Sequence, residues 1–596
     1  MVFEYENHIA VDFETYYDDD NSVAKVGPHN YCGRPDFDAY LVSVYSKDIE
    51  FVGHPSEFKW ELLKGKTVVA HNALFEWYVL DAIGVEINFT LVDTAALCRY
   101  MNVAGALADA MKGLYGVERD KSIRDVGMKG KHWKDFTAEE KVDVKEYALD
   151  DSKNAWQIWA DYGDVWPEKE YQIWLHTCKM LRRGIRVDVK KLEEYLDILA
   201  NKYHECLLNM PWVDAGAKPG SPKAVRELCR LKGLPVPKSF AKTDADFQAW
   251  IAEHKDEHKW ISAFQDHKSI NNFRNRLLSM KGRMDGDILY YDLLYGGTRT
   301  LRWAGRGSSQ GGASVGGWNA LTMRRDAMHG CDERSLIIPR EGKKFLIADW
   351  CQIEPRILFV LCEKTELLKL IRAGMSVYEA YARTAGMYSG ELPLNKADKS
   401  LYKMVKAIVL GLGYGMGAAR FMEILKGRGI EKTLPEAKDM VYKYRYQDNP
   451  EISAFWKRLE AHMKSHSGAM VYRQPLPSGR SIQYYHVELD LAKGNIVVPK
   501  ELGRKQRDWY FSGKICENAV QAISRDILCD ALLKDVDGEV VLHVYDEVVW
   551  EVDEDRDEKE IMEIMEAQVP WMPDLPVEAE FAEDVDGNLI THCYVK

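Results

Sequence analysis

Phe345-Leu346-Ile347-Ala348-Asp349 is an apolar run closed by a carboxylate, and far downstream HVYDEVVWEV sets Asp546 and Glu547 between two apolar runs. Short runs of this kind, rich in Val, Ile and aromatic residues, fold as buried strands. Two such strand ends side by side would hold two divalent cations, the arrangement used for in-line phosphoryl transfer. Either segment alone also fits a core strand followed by a helix cap or a polar turn. The residues between them narrow the choice.

Those residues include KSLYKMVKAIVLGLGYGMG, beginning at Lys399. At about 100° per residue, a continuous helix puts Leu401, Met404, Val405, Ile408 and Leu412 on one face. Lys399, Lys403, Lys406, Leu410 and Tyr414 fall on the other. A lysine row by itself is an ordinary solvated face. A row that runs on into Leu410 and Tyr414 fits a triphosphate on the lysines and a base stacked near the tyrosine.

Together these segments resemble the family A DNA polymerases, and the short bacteriophage members most of all. FLIADWCQIEPR is similar to their motif A, KMVKAIVLGLGYG to motif B and HVYDEVV to motif C; TRTLRWAGRG, LPSGR and ENAVQAISRDIL resemble further segments of the group. The resemblance runs in order over nearly the whole chain. It implies an α/β multidomain protein: an RNase H-like 3′–5′ exonuclease domain, then a right-hand polymerase. The implied bounds are 1–167 for the exonuclease, 168–286 for a linker and mostly helical thumb, 287–362 and 446–596 for the palm, and 363–445 for the fingers.

The front of the chain carries a second acidic set. IAVDFET places Asp12 and Glu14 on one strand face; Glu76 follows Asn72 by four residues, and Asp151 follows Tyr147 by four, both helical spacings. Each signal is weak alone. Their order is similar to the three motifs of a DnaQ-like exonuclease, which implies that Asp12, Glu14 and Asp151 bind metal and Tyr147 orients the attacking water. Glu76 stands where many members have Asp. The lead before Asp12 is too short for a 5′-nuclease domain, and that activity is expected to be absent.

For the polymerase site, the resemblance implies that Asp349 and Asp546 bind two Mg²⁺ ions, with Mn²⁺ as a substitute, and that Glu547 supports them. It implies that Lys406 contacts the phosphates, Tyr414 closes behind the base pair, and Gln352 and Glu354 shape the sugar pocket. Arg302 and Gln521 are implied at the minor groove. Four positions depart from the family pattern. Tyr545 replaces the usual His, Tyr402 an Arg whose place Lys399 or Lys403 could take, Leu410 a Phe or Tyr, and Leu301 a Gly. A single-subunit RNA polymerase shares the palm and a similar motif B, but a bulky Glu354 in the sugar pocket argues against it. A template-binding module with dead sites is disfavoured by the retained acids.

The chain has 596 residues, 46% of them hydrophobic, enough for several domains. Its net charge of -13 does not exclude a nucleic-acid partner, because a local basic track can sit in an acidic remainder. HKSINNFRNRLLSMKGR contains no acid, and its Lys268, Arg274, Arg276, Lys281 and Arg283 are candidates for phosphate contacts. Eleven scattered cysteines without C-x-x-C spacing read as reduced, mostly buried thiols. The N-terminus lacks a basic start and an apolar core, and no stretch suits a membrane span, so a cytoplasmic protein is expected, in the host cell if phage-encoded. The implied partners are primer–template DNA and dNTPs, with a primase-helicase and a single-strand binding protein as possible companions. A monomer is expected. The segment from Gly305 to Gly317 is the one low-complexity loop, read as a local insertion.

Overall fold

The acid-bearing strand at the front of the chain is central in its sheet, as an apolar strand buried on both faces should be. The computed structural model describes residues 7–118, 123–241, 244–305, 318–490, 492 and 494–595; most of the low-complexity loop, residues 306–317, lies outside them. Strands β1 (His8–Thr15), β2 (Ala39–Tyr45), β3 (Glu50–Gly53), β4 (Thr67–Ala70) and β5 (Thr90–Asp93) form a sheet of order β3-β2-β1-β4-β5. β1 pairs antiparallel with β2 and parallel with β4. Helix α1 (Ala73–Ala82) packs on the sheet between β4 and β5, and α2 (Ala138–Tyr162) crosses β1 and β2. A reciprocal Thr137–Glu140 capping box starts α2.

From α2 the chain passes into α3 (Glu168–Arg183), then α4 (Val189–Leu208) and α5 (Lys259–Lys281), which pack along each other. The C-terminal sheet is built from β6 (Lys343–Trp350), β10 (Val540–Val544), β11 (Glu547–Asp553) and β12 (Ala579–Phe581), in the order β10-β11-β6-β12 and antiparallel throughout. Between β6 and β10 lie α6 (Ile353–Leu361), α7 (Val377–Thr384), α8 (Lys399–Ala407), a three-stranded sheet of β7 (Glu488–Asp490), β8 (Asn495–Pro499) and β9 (Arg507–Tyr510), and the buried helix α9 (Ser512–Leu532). The chain is a mixed α/β protein of several domains. Among the described residues, no helix is long and apolar enough to cross a membrane, and ten of the eleven cysteines are buried.

Two kinds of contact join the parts. The connection between β8 and β9 pairs with the N-terminal domain through main-chain atoms: Ala104 donates to the Leu502 carbonyl at 2.9 Å, and Leu502 to that of Asn102 at 3.1 Å. Gly503 is left-handed (φ 93°), and a Cβ there would meet the Asp109 carbonyl at 2.0 Å; a Cβ on Gly113 would meet the Gly503 nitrogen at 2.9 Å. The second contact is ionic and buried. Arg525 of α9 grips Glu170 of α3 with both terminal nitrogens, at 2.6 and 2.7 Å, and the Tyr295 hydroxyl donates to the same carboxylate at 2.6 Å.

Burial alone would raise the Glu170 carboxyl, but the Arg525 guanidinium outweighs it and holds the group at about 2. A depressed carboxyl stabilises the fold above its ordinary value of 4.5, and that contribution fades as pH falls from there towards 2. Arg525→Met, which strands the carboxylate, should cost about 3–5 kcal/mol in urea unfolding at neutral pH. Glu170→Gln should lose less stability than the parent between pH 5 and pH 3, readable in the same assay.

Candidate active sites

Asp349 is the penultimate residue of β6 and pairs in register with Glu547, the first residue of β11. The two-residue connection Tyr545–Asp546 joins β10 to β11, with Tyr545 left-handed (φ 60°). The Trp350 amide donates to the Asp546 carbonyl at 3.2 Å. The two predicted carboxylates, Asp349 and Asp546, therefore come from neighbouring strand ends. Glu547 is occupied differently. It is buried, takes a hydrogen bond from Arg334 at 3.2 Å and another from the Tyr594 hydroxyl, and Arg334 lies 4.5 Å over the Tyr594 ring. Glu547 pins the sheet to the end of the chain, and neither of its partners could be read from local sequence.

After β6 the chain turns sharply at Gln352, left-handed at φ 52° and N-terminal to α6. The Gln352 side-chain oxygen accepts the Val377 amide at 2.8 Å, which ties α6 to the start of α7. Glu354, in the first turn of α6, takes a hydrogen bond from Arg302, whose guanidinium lies 5.7 Å over the Tyr545 ring. Across from them on α9, Gln521 donates to Glu517 at 3.1 Å. Burial raises the Glu517 carboxyl, and the negative charge of Glu354 adds to it. Burial also drives the Tyr414 hydroxyl well up, with Glu354 the next contributor. Arg302, Glu354, Tyr414, Gln521 and Tyr545, all predicted from sequence, share one neighbourhood.

The lysine helix differs from its prediction. Regular α-helix ends at Ala407, and Ile408–Leu412 is a π-helical stretch before the turn through Gly413 and Gly415. The wider i→i+5 turns mean that the segment is not one regular α-helix from Lys399 to Tyr414. These three lysines are exposed, while Val405 and Ala407 are buried. Lys406 lies 5.8 Å over the Tyr378 ring, which meets Tyr402 edge-on at 5.5 Å. Partial burial, then the charges of Arg428 and Arg325, lower the Lys406 ammonium.

At the front, Asp12 and Glu14 of β1 meet Asp151 of α2, and one ligand atom from each lies within 4.8 Å of the others. Ser43 explains how α2 is seated. It pairs with Asp12 across β1 and β2, so it faces α2, donates to the Ala148 carbonyl at 2.7 Å and lies 2.6 Å from the Ser152 hydroxyl. That buried seam sits beside Tyr147 and Asp151. Glu76 is buried in the first turn of α1. Three carboxylates at this spacing suit a hard divalent cation.

The basic track on α5 is shorter than the sequence suggests. Arg283 is buried, bonded to Asp292 at 2.5 Å and to the Ala24 carbonyl at 3.0 Å. Arg276 spends its donors on Glu333 at 2.5 Å, Thr322 at 2.9 Å and the Asn319 carbonyl at 2.7 Å. Lys281 pairs with Glu193 at 2.6 Å. Lys268 is exposed and Arg274 half-buried.

Residues 319–585 match the model of DNA polymerase family A. The matched segment belongs to that family. Among its relatives, the DNA polymerase of Bacillus phage SP02 is 24% identical over 96% of this chain and 98% of its own length. DNA polymerase I of Aquifex aeolicus (strain VF5) is 24% identical over 68% of this chain and 64% of its own. Among solved structures, the POL domain of Pol1 from M. smegmatis, in complex with DNA primer-template and dNTP, superposes with a TM-score of 0.66 at 19% identity, over 96% of this chain and 94% of that one. At that identity the likeness speaks for the fold. Asp349, Glu354, Lys406, Tyr414 and Asp546 all fall inside the family A match; Asp12, Glu14 and Asp151 lie ahead of it.

The two ion pairs of the polymerase site differ in burial, and so in energy. The side chains of Arg334 and Glu547 are 3% and 2% exposed, those of Arg302 and Glu354 15% and 29%. Arg334→Met should cost about 3–5 kcal/mol by stranding a buried carboxylate, and Arg302→Met about 1 kcal/mol. Urea unfolding of the two variants separates them.

Proposed function

We propose that this chain is a template-directed family A DNA polymerase that also removes nucleotides from the primer 3′ end. What carries the polymerase reading is the register that sets Asp349 beside the Asp546 turn within the matched residues. The Asp12–Glu14–Asp151 cluster supports the exonuclease reading. The sheet order β3-β2-β1-β4-β5, with α2 across it, agrees with an RNase H-like exonuclease domain over 1–167. A thumb over 168–286, a palm over 287–362 and 446–596, and fingers over 363–445 complete the proposed right hand. The phage relative agrees with genome replication as the setting.

Asp349 and Asp546 would hold one pair of Mg²⁺ ions, and Asp12, Glu14 and Asp151 another. Bound there, such ions lower the pKa of the attacking hydroxyl or water and neutralise charge at phosphorus. The chain's own residues do the positioning. Lys406 holds the triphosphate oxygens and offsets charge that grows on them. Tyr414 backs the nascent base pair. Glu354 fills the space beside the sugar, kept in place by Arg302, and Gln352 fixes the angle between α6 and α7. Tyr402 and Lys403 flank the nucleotide, and Leu410 lines the helix side of its pocket. Arg302, Gln521 and Tyr545 face the primer–template, and Lys268 and Arg274 take the duplex phosphates further back. In the front domain, Tyr147 orients the attacking water and Glu76 braces the carboxylates.

Two outcomes test the proposal. Asp349→Ala or Asp546→Ala should abolish nucleotide addition to a primed template and leave primer shortening intact, and Asp12→Ala should do the reverse. Unchanged shortening of a mismatched primer by Asp12→Ala would remove the exonuclease reading. Glu354→Ala should raise ribonucleotide insertion relative to deoxynucleotide insertion about tenfold or more, each factor of ten being about 1.4 kcal/mol. Single-nucleotide insertion kinetics on one template give that ratio directly.

A further inference from the structure

Cations gather around α8 with no acid to balance them. Lys399, Lys403 and Lys406 are exposed on that helix, and among the described residues none of the three pairs with a carboxylate. A further cation comes from another element. The helix Ala418–Gly427 packs against α8, and Arg428, its C-terminal cap, turns back to donate to the Lys403 carbonyl at 2.9 Å. Residues three apart on a helix are neighbours, so this bond lays the guanidinium alongside Lys406, whose ammonium feels Arg428 more than any other charge. Other cations of the same segment are spent differently: Arg420 pairs with Glu423 at 2.9 Å and Lys432 with Glu436 at 3.2 Å. Arg428 has no such acid among the described residues, and its bond to Lys403 uses one of five donors. Like charges held this close cost free energy unless an anion comes between them.

Tyr378 ties this cluster to the polymerase carboxylates. It is buried, with the Lys406 ammonium 5.8 Å over its ring and Tyr402 edge-on at 5.5 Å. Burial and then Tyr402 raise its hydroxyl, the charge of Arg428 opposes them, and Asp546 and Glu354 add smaller upward pushes. One side chain therefore feels both the cations and the candidate site's acids. Tyr402 lies one turn before Lys406 on the same helix face and carries no charge, where the family resemblance expects an Arg. We infer that Arg428 supplies the guanidinium that α8 lacks at Tyr402, and that it binds the outer phosphates of the incoming nucleotide beside Lys406. A planar guanidinium meets two phosphate oxygens at once, which an ammonium on Lys399 or Lys403 does not. The charge reaches the phosphates from the end of the neighbouring helix instead of from α8 itself. The inference rests on the polymerase reading proposed above.

Single-nucleotide insertion kinetics with the full chain and one primer–template test it. Arg428→Gln should raise KM for the dNTP about ten- to a hundredfold, the span of a charge-assisted hydrogen bond, and leave primer–template affinity in fluorescence anisotropy unchanged. Inorganic tripolyphosphate carries the charges without base or sugar, and should lose potency as a competitive inhibitor by the same factor. Arg428→Lys should recover part of both losses, because a point charge remains without the fork. Arg420→Gln, on the same helix but already paired, should match the parent. Equal KM in Arg428→Gln and the parent overturns the assignment, as does a KM rise matched by an equal fall in primer–template affinity. A KM rise with tripolyphosphate inhibition unchanged also overturns it, since the residue would then act on the shape of the site and not on the phosphates. A parent chain that extends no primer defeats the polymerase reading itself, whereas a parent that extends, with an Arg428→Gln variant equal to it, removes Arg428 alone.

Discussion

The grip of Arg525 on Glu170 is the contact on which the arrangement of the candidate polymerase site depends. Gly513, Glu517, Gln521 and Arg525 follow one another at intervals of four along α9, so they form one slowly turning stripe. Gly513 lies under the Tyr414 carbonyl, Glu517 feels the charge of Glu354 and accepts from Gln521, and Arg525 is the buried end. Fixing that end fixes the stripe. Asp526 strengthens the hold by accepting from Arg480 at 2.9 Å; Arg480 lies in the turn between the paired strands Val471–Pro475 and Ser481–Tyr485, so one helix is anchored both to α3 and to that hairpin. Desolvating two ions is expensive, and the bidentate geometry with a third donor from Tyr295 is what compensates.

Among the described residues, four of the eight left-handed non-glycine positions adjoin the candidate sites. Leu301, Gln352 and Tyr545 are all left-handed, and they precede Arg302, Glu354 and Asp546 by one or two residues. In the front domain Asn72, also left-handed, introduces the helix that carries Glu76. A non-glycine residue in this region costs on the order of 1–3 kcal/mol, and the surrounding packing must over-determine it. Leu301 is the plainest case. It adopts a backbone angle that glycine takes freely, yet its side chain is buried.

Much of this was legible in sequence, and the reason is local. Apolar runs closed by carboxylates announced β6 and β11, and the i, i+2 and i, i+4 spacings announced the two faces that bring Asp12, Glu14 and Asp151 together. What sequence missed depends on partners far away along the chain. Glu547 is bound to Arg334 and Tyr594 by packing that no period reveals, and Arg276 and Arg283 looked like free cations because Glu333 and Asp292 enter from other segments. The π-helical stretch at Ile408–Leu412 is a different failure. A constant angle per residue does not hold through a segment whose turns widen after Ala407.

The joint between Leu502 and the strip Asn102–Ala104 is written almost wholly in main-chain atoms. A contact of that kind is blind to side-chain identity. Mutation can rewrite most residues around the joint without loosening it, provided the chain there stays extended and the loop keeps its length. Gly503 and Gly113 are the exceptions, because any Cβ would collide with the opposite backbone. The seam that unites the two ends of the molecule is therefore free to drift in sequence almost everywhere, and vulnerable at two positions whose residues have no side chain to lose.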